Sequence, residues 1–186
     1  MRNVIFTINT TLDGGCDHTK FNPDEETMDY FTNLTRDADT FLYGCKTYQL
    51  MVPFWPDLMK DHSGQRKAYI AYAQAFDAIK KIIVFSQSLD SPEEKKTRIV
   101  RTNLHDEILK LKQEQGKNIL TGGVTIPSQL AELGLIDEYR FVVHPIVAGE
   151  GRRLFEGINL REKLQLKFVE SRVFKSGCVA LRYLKQ

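Results

Sequence analysis

Two glycine-containing turns hold the residues of this sequence best suited to bind an anion. In the first, Gly122-Gly123 follows the short apolar run 118–121 and precedes a helix-like segment. Adjacent glycines permit positive φ and leave no side chain between the backbone and a ligand. The amides that open the next helix then face outward, with the positive end of the helix dipole behind them. This predicts a phosphate or pyrophosphate site. Because the full Gly-x-Gly-x-x-Gly pattern is absent, a tight turn that binds nothing is the alternative.

The second turn, Gly44-Cys45-Lys46-Thr47, joins a predicted strand to a predicted helix. It differs from a P-loop because Cys45 stands where that motif has glycine, and the upstream glycine is missing. Lys46 and Thr47 at a helix N-terminus are nevertheless well placed to hold a phosphate. The alternative is a surface lysine beside a helix cap.

Carboxylates in the first part of the chain are the candidate catalytic groups. Asp13 lies in a turn after the first predicted strand, and Asp24, Glu25 and Glu26 open a predicted helix. An acid in such a loop can supply a proton or hold a ring, and we take Asp13 and Glu26 as the catalytic candidates. The alternatives are an Asx turn for Asp13 and complements to the helix dipole for the other three.

Strands alternate with helices along most of the chain. The predicted order is strand, helix, strand, two helices, two strands, helix, strand, helix, strand and a terminal hairpin. This order predicts an α/β fold with a mostly parallel central sheet flanked by helices and a C-terminal antiparallel hairpin. We expect Asn22 to cap the first helix, and Pro53 and Pro56 to break the second. The 186 residues suit one domain spanning 1–186.

The composition is that of an ordinary globular protein. A net charge of +2 with scattered basic residues argues against a nucleic-acid partner, and Arg152-Arg153 is interpreted as a solvated surface. The apolar run at the N-terminus is too short for a signal peptide, and no stretch approaches a membrane span. The three widely spaced cysteines argue against a disulfide framework. We therefore expect a cytoplasmic protein without a membrane partner, and the four histidines show no metal-ligand spacing.

Several local motifs occur in an order that resembles one family. They are Thr11-Leu12-Asp13-Gly14, Gly44-Cys45-Lys46-Thr47-Tyr48, Val84-Phe85-Ser86, Leu120-Thr121-Gly122-Gly123, Leu135-Ile136-Asp137-Glu138-Tyr139, Val143-His144-Pro145 and Gly149-Glu150-Gly151-Arg152-Arg153-Leu154-Phe155. Together they resemble the dihydrofolate-reductase-like family, and within it the branch of the riboflavin-biosynthesis reductase (RibD C-terminal) domain and its stand-alone bacterial relatives. The resemblance covers nearly the whole chain.

This resemblance implies a dihydrofolate-reductase-like fold and NADPH-dependent hydride transfer to a small heterocyclic substrate, either pteridine-like or pyrimidine-like. It places the second turn, Gly44 to Thr47, against the cofactor phosphates, the glycine pair Gly122-Gly123 near the pyrophosphate, and Ser86, the serine after the third strand, near the adenosine. The implied cofactor-binding residues are Gly44, Lys46, Thr47, Ser86, Gly122 and Gly123. It also implies a homodimer.

One position departs from the pattern of this family. The family commonly has Arg where this chain has Cys45, and that Arg helps to hold the cofactor's phosphate. Lys46 replaces it only as a point charge, without the bidentate guanidinium fork. Cys45 therefore indicates an alternative function, a catalytically inactive dimeric protein of the same fold that binds a nucleotide or small molecule.

Overall fold

The computed structural model describes residues 1–92, 94–160 and 162–186, and it contains a mixed sheet with helices on both faces. The strands are β1 (Val4–Thr11), β2 (Ala38–Gly44), β3 (Lys81–Phe85), β4 (Thr97–Val100), β5 (Asn118–Thr121), β6 (Glu138–His144), β7 (Leu166–Val173) and β8 (Val179–Lys185). The helices are α1 (Glu25–Arg36), α2 (Cys45–Lys60), α3 (Lys67–Asp77), α4 (Leu104–Gln113) and α5 (Thr125–Glu132), and a 3-10 turn spans His18–Lys20.

The strands of the described residues form one sheet in the order β4-β3-β2-β5-β1-β6-β8-β7. All neighbours from β4 to β6 are parallel, whereas β8 runs antiparallel to β6 and to β7. The predicted α/β class, with its mostly parallel sheet and C-terminal hairpin, is confirmed. Because β2, β5 and β1 are adjacent and parallel, their C-terminal ends meet at the centre of one sheet edge, where open α/β sheets bind ligands.

Alternating side chains of the central strands build a separate core on each face of the sheet. Along β2, Phe41 and Tyr43 belong to the core that includes α1, α2 and α3, whereas Leu42 belongs to the core that includes α4 and α5. Both faces are therefore apolar, as a parallel sheet covered on both sides requires. Within the described part of the chain, no helix is long and apolar enough to cross a membrane.

The N-terminus of α1 is capped by Asp24, so the expected cap at Asn22 is wrong. The chain is extended at Asp24, and the carboxylate of this residue accepts a hydrogen bond from the amide of Thr27 at 2.9 Å. The helix thus begins two residues later than Asn22 would require, at the position where a carboxylate reaches the third amide of the first turn.

Helix α2 runs unbroken past Pro53 and Pro56, so the expected helix break is also wrong. Each proline removes a main-chain donor and destabilises a helix locally. The helix continues because it buries a face whose residues recur at helical spacing. That face consists of Tyr48, Val52, Trp55 and Leu58. Tertiary packing of this face outweighs the local propensity of the prolines.

A buried ion pair anchors the chain start at the sheet edge opposite the C-terminal strand ends. The guanidinium of Arg2 contacts the carboxylate of Asp39, and their side chains are only 4% and 12% exposed. The Nη2 atom of Arg2 also donates to Thr40 Oγ1 at 2.7 Å, and Asp39 Oδ2 accepts from the Lys117 amide at 3.0 Å. The pair therefore joins the chain start to β2 and to the residues before β5.

We predict that Asp39→Ala lowers the free energy of unfolding by about 3 kcal/mol, because it removes the buried carboxylate beside the Arg2 guanidinium and leaves only the more exposed Glu114 carboxylate 3.8 Å away. The matched control is Asp57→Ala, which removes an exposed ion pair with Lys60 whose side chains are 69% and 75% exposed. An exposed pair contributes little, so this control should unfold as the unchanged protein does. Urea denaturation measures both. Equal losses in the two variants would show that burial of the Arg2 pair is not what stabilises it.

Candidate functional site

A cavity of about 1000 Å³ opens at the C-terminal ends of β1, β2 and β5. This volume lies at the upper end of the usual range for small-molecule sites, roughly 300–1000 Å³. Its described lining has two parts. The first consists of the turns 44–47 and 122–125, which we call the glycine turns, and the second is an apolar wall formed largely by α1, α2 and α3.

The two glycine turns approach each other so closely that a side chain at Gly123 would collide with the other turn. Gly123 has a φ of +82°, and a Cβ atom at this position would lie 2.3 Å from Thr47 Oγ1. A Cβ atom at Gly44 would lie 3.2 Å from the Cγ1 atom of Ile126. The absence of these side chains lets the start of α2 and the start of α5 meet at the same part of the cavity.

The helices that begin at the glycine turns lack protein anions at their N-termini. The cap positions of α2 and α5 are Gly44 and Val124, and neither makes a side-chain cap or is followed by an acid in the first turn. By contrast, α1 and α4 are capped by Asp24 and Asn103, and each has two acids in its first turn. The amides and positive dipole ends of α2 and α5 are therefore left for another anion.

The charged side chains in the described lining of the cavity are Lys46 and Arg152. Lys46 lies in the first turn of α2, and Arg152 Nη1 donates to Thr125 Oγ1 at 3.1 Å beside the start of α5. Both residues line the cavity, and the lining residues of the described chain include no carboxylate. The electrostatics of this part of the cavity therefore favour a ligand with negative charge.

Arg152 is the site residue that the sequence interpretation missed. A bridge between two loops holds it in place, because the Cys16 amide donates to the Arg152 carbonyl at 2.9 Å and the Leu154 amide donates to the Gly14 carbonyl at 2.8 Å. The interpretation of Arg152-Arg153 as a solvated surface is incomplete, since Arg152 lines the cavity although it is exposed. Its position directly after Gly149-Glu150-Gly151 in the family motif was the available signal.

The cavity also contains two free thiols, Cys16 and Cys45. Burial raises the pKa of Cys16 to about 11, although the charge of Arg152 opposes this rise. The Cys16 thiol is therefore protonated and unreactive near neutral pH. In the described ranges, no three His, Cys, Asp or Glu side chains come together as metal ligands.

The predicted catalytic residue Asp13 holds a loop instead of facing the cavity. Its carboxylate accepts hydrogen bonds from Thr11 Oγ1 at 2.6 Å, from the Ala148 amide at 3.1 Å and from the Gly149 amide at 2.9 Å. The bond from Thr11 and those from the two amides hold the pKa of Asp13 well below its usual range. The carboxylate is thus ionised at neutral pH and cannot donate a proton.

Two further predicted residues have partners outside the cavity. Glu26 accepts from the Lys175 amide at 2.7 Å and so links α1 to the β7–β8 hairpin, while Ser86 Oγ accepts from the Leu89 amide at 2.9 Å. Neither these two residues nor Asp13 belongs to the described cavity lining. The other predicted residues do, namely Gly44, Lys46, Thr47, Gly122 and Gly123. The catalytic and adenosine-binding roles stay predictions.

The apolar wall is rich in uncharged aromatic rings. Trp55 packs against Tyr72 with ring centroids 4.4 Å apart, and Phe31 and Tyr69 also line the cavity. Burial raises the pKa of Tyr72 to about 12, so its hydroxyl is neutral at physiological pH. This wall can exclude water from a flat ring, while the glycine turns can hold an anionic group.

Comparisons with known proteins agree with this architecture. Residues 2–180 match the family model of the RibD C-terminal domain. The chain belongs to this family. The uncharacterized protein YyaP of Bacillus subtilis (strain 168) is 32% identical over 186 residues, which cover 98% of this chain and 94% of YyaP. The family resemblance inferred from the ordered motifs is thereby confirmed.

Solved structures share the fold of the RibD C-terminal domain seen here. A protein from Shewanella sp. PV-4 aligns with a TM-score of 0.73 and 21% identity, covering 100% of this chain and 99% of that one. A diaminohydroxyphosphoribosylaminopyrimidine deaminase/5-amino-6-(5-phosphoribosylamino)uracil reductase from Thermotoga maritima aligns with a TM-score of 0.67 and 17% identity. That alignment covers 100% of this chain and 57% of the Thermotoga chain. At these identities the alignments establish the fold alone.

We predict that Gly123→Ala destabilises the protein more than Gly64→Ala does. Both glycines have positive φ, +82° and +70°, but a Cβ atom at Gly64 meets nothing within 4 Å. Gly64→Ala therefore measures the backbone strain alone, roughly 1–2 kcal/mol. The additional loss in Gly123→Ala reports the contact with Thr47 Oγ1.

The double variant Gly123→Ala/Thr47→Ala tests the same contact directly. Removal of the Thr47 hydroxyl should recover part of the stability lost in Gly123→Ala, so the two changes should be non-additive in chemical denaturation. Strict additivity would contradict the close approach of the two turns.

Proposed function

We propose that the chain is a reductase that binds NADPH and reduces a small pyrimidine-like heterocycle. The observation that carries the proposal is the convergence of two uncapped helix N-termini with Lys46 and Arg152 on one cavity whose described lining has no carboxylate. Membership of the RibD C-terminal domain family supports the reductase activity. The uracil-reductase activity in the name of the Thermotoga protein supports the class of substrate.

The glycine turns fit the phosphates of a dinucleotide. A Cβ atom at Gly122 would lie 3.4 Å from the main-chain oxygen of Thr7, so the turn packs against β1 with only its backbone. Backbone amides at a helix N-terminus bind a pyrophosphate where no side chain intervenes. Lys46 and Arg152 would add charge-assisted contacts to the phosphates. These are residues of this chain that would hold the cofactor.

The apolar wall fits the reacting rings. A nicotinamide bound in this cavity would supply the hydride, and the protein's contribution would be orientation and exclusion of bulk water. The proton that completes the reduction needs another source, since Asp13 is ionised and engaged and the described lining has no carboxyl group. We assign this proton to a water molecule that enters the cavity.

We predict that Lys46→Ala and Arg152→Ala each weaken NADPH binding roughly tenfold, since each removes a charge-assisted contact to phosphate worth about 1.5 kcal/mol. Titration followed by nicotinamide fluorescence measures the dissociation constants. Lys60→Ala is the matched control, because Lys60 lies at the opposite end of α2 and pairs with Asp57. Unchanged affinity in both Lys46→Ala and Arg152→Ala would refute this placement of the cofactor.

The second candidate function is a binding protein that holds the cofactor without chemistry. Cys45 at the first position of α2 favours this alternative, together with the lack of a carboxyl proton donor in the described lining. NADPH binding without oxidation in the presence of 5-amino-6-(5-phosphoribosylamino)uracil or a pterin would favour this function over the reductase.

We predict that Cys45→Arg tightens NADPH binding and raises the preference for NADPH over NADH. An arginine at this position adds a planar guanidinium that can hold a phosphate through two parallel hydrogen bonds, which the Cys45 thiol cannot do. Parallel titrations with the two cofactors measure the change. Cys45→Ala serves as the control for loss of the thiol, and equal preference in the two variants would contradict a phosphate near this position.

The homodimer expected from the family stays a prediction, and we carry it forward as part of the proposal. The edge strand β7 supports it, because Phe168 and Val173 are 54% and 71% exposed there. An edge strand with exposed apolar side chains is a surface that a second chain can cover.

A further inference from the structure

The cavity extends into the hydrophobic core on one face of the sheet. Six of its lining side chains belong to the core that includes α1, α2 and α3, and each is at most 9% exposed. We call the space that they line the inner compartment, and they are Met28, Leu34, Phe41, Tyr43, Trp55 and Tyr72. A cavity within a core costs stability, because its lining atoms lose van der Waals partners. An apolar group of a ligand would restore those contacts.

The inner compartment carries no charge. Burial raises the pKa of Tyr43 well above its usual value and raises that of Tyr72 to about 12, so both hydroxyls are neutral at physiological pH. The Tyr72 hydroxyl also forms a hydrogen bond with Thr35 of α1. Since this hydroxyl has a protein partner and the other lining groups are largely hydrocarbon, the compartment favours an uncharged apolar group.

The charged side chains in the described lining lie beside the glycine turns instead. Lys46 is in the first turn of α2 and Trp55 is nine residues further along the same helix, which corresponds to roughly 13 Å at 1.5 Å per residue. Arg152 contacts Thr125 at the start of α5. An anionic group inside the compartment would therefore lose its hydration without gaining a cationic partner there.

Arg66 lies at the rim of the apolar wall. Its guanidinium carbon lies 4.2 Å from the centroid of the Tyr69 ring, and its Nη1 atom donates to the Pro23 carbonyl at 3.1 Å. Tyr69 and Pro23 line the cavity, whereas Arg66 is exposed and is not part of the described lining. Pairing of an anionic substituent with Arg66 is thus the rival that an experiment must separate from burial in the compartment.

We propose that the substrate is a heterocycle with an uncharged aromatic substituent, which the inner compartment buries. An aromatic ring suits this space because the wall already pairs its own rings, with the centroids of Phe41 and Tyr43 5.2 Å apart. The Thermotoga protein, by contrast, is named for a uracil that carries a phosphoribosyl group. The inference rests on the proposed function for the heterocycle and adds the class of its substituent.

Three matched uracils test the proposal in NMR titrations of the full chain, with and without NADP+. 6-Aminouracil has no further substituent, 6-anilinouracil adds a phenyl ring, and 6-(4-carboxyanilino)uracil adds the same ring with a carboxylate. 6-Anilinouracil should bind at least roughly tenfold more tightly than the other two, because its ring is buried and the carboxylate would be desolvated without a partner.

Three results of these titrations would overturn the inference. The first is equal affinity for 6-aminouracil and 6-anilinouracil. The second is tighter binding of the carboxylate probe, and loss of that binding in Arg66→Ala would show that the rim cation selects an anionic substituent. The third is binding of none of the three uracils.

The methionines report where the phenyl ring lies. The chain has four of them, so ¹³C-methyl labelling gives a simple spectrum. Met28 and Met51 line the cavity, whereas Met1 is 89% exposed and outside the described lining. 6-Anilinouracil should shift the Met28 methyl signal and show nuclear Overhauser effects between its phenyl protons and this methyl group, with Met1 unchanged. Tight binding without an effect on Met28 would contradict burial in the compartment.

A larger side chain in the compartment should compete with the phenyl ring. Leu34→Trp should weaken binding of 6-anilinouracil about tenfold or more and leave that of 6-aminouracil unchanged. The matched control is Asn33→Trp, at the neighbouring exposed position of α1. Equal affinities for 6-anilinouracil in the two variants would overturn the inference. If Leu34→Trp does not fold, the Met28 signal of the unchanged protein decides.

The outcomes separate this inference from the proposed function. If NADPH does not bind but 6-anilinouracil is preferred and contacts Met28, the cofactor proposal fails and the role of the compartment stands. If NADPH binds but the phenyl ring gives no gain in affinity, the inference about the substituent is overturned while the cofactor site stands.

Discussion

The close approach of the loop after β5 to the first turn of α2 is the constraint on which the cavity depends. The Thr47 side chain occupies the space that a side chain at position 123 would need. This contact is available only because β2 and β5 are parallel neighbours, so that the helices following both strands begin at the same sheet edge. The sheet order therefore brings the two glycine turns together. The turns in turn form the electropositive part of the cavity.

The distribution of acids follows from the same arrangement. Near the cavity, the carboxylates are engaged in structural roles, with Asp13 holding the loop at Ala148 and Asp24 capping α1. The N-termini of α2 and α5 lack such groups. The acids that stabilise the fold are thus separated from the N-terminal amides of α2 and α5. The net charge of the chain, +2, gives no indication of this separation.

Most of the fold could be predicted from the sequence, because the pattern of strands and helices is local and the handedness of parallel connections is nearly invariant. The element order and the terminal hairpin were predicted correctly on this basis. The errors at Asn22 and at Pro53 arose where long-range packing or the exact start of a helix overrides local propensity. The position of Gly122 and Gly123 at the cavity followed from the sequence because the backbone itself forms that part, and their role in cofactor binding stays a prediction.

Side chains whose position depends on distant partners could not be predicted. Arg152 reaches the cavity through a loop bridge to Cys16, and the Asn9 side chain lies 2.9 Å from Nε2 of His144, which is 135 residues away in sequence. Asp13 and Glu26 are plausible catalytic acids by type and position, but their partners lie in the loop at Gly149 and at Lys175. Sequence alone gives no information on which of these contacts form.

The prolines of α2 have a mechanical consequence for the cavity. Pro53 and Pro56 each remove one rung of the helical hydrogen-bond ladder, and the residues between them, Phe54 and Trp55, form part of the cavity wall. The middle of α2 therefore depends less on main-chain hydrogen bonds than the rest of the helix does, and more on the packing of Val52 and Trp55, which are 1% and 9% exposed. The cavity wall on this side is therefore shaped by side-chain packing, whereas the glycine turns on the other side are shaped by the sheet.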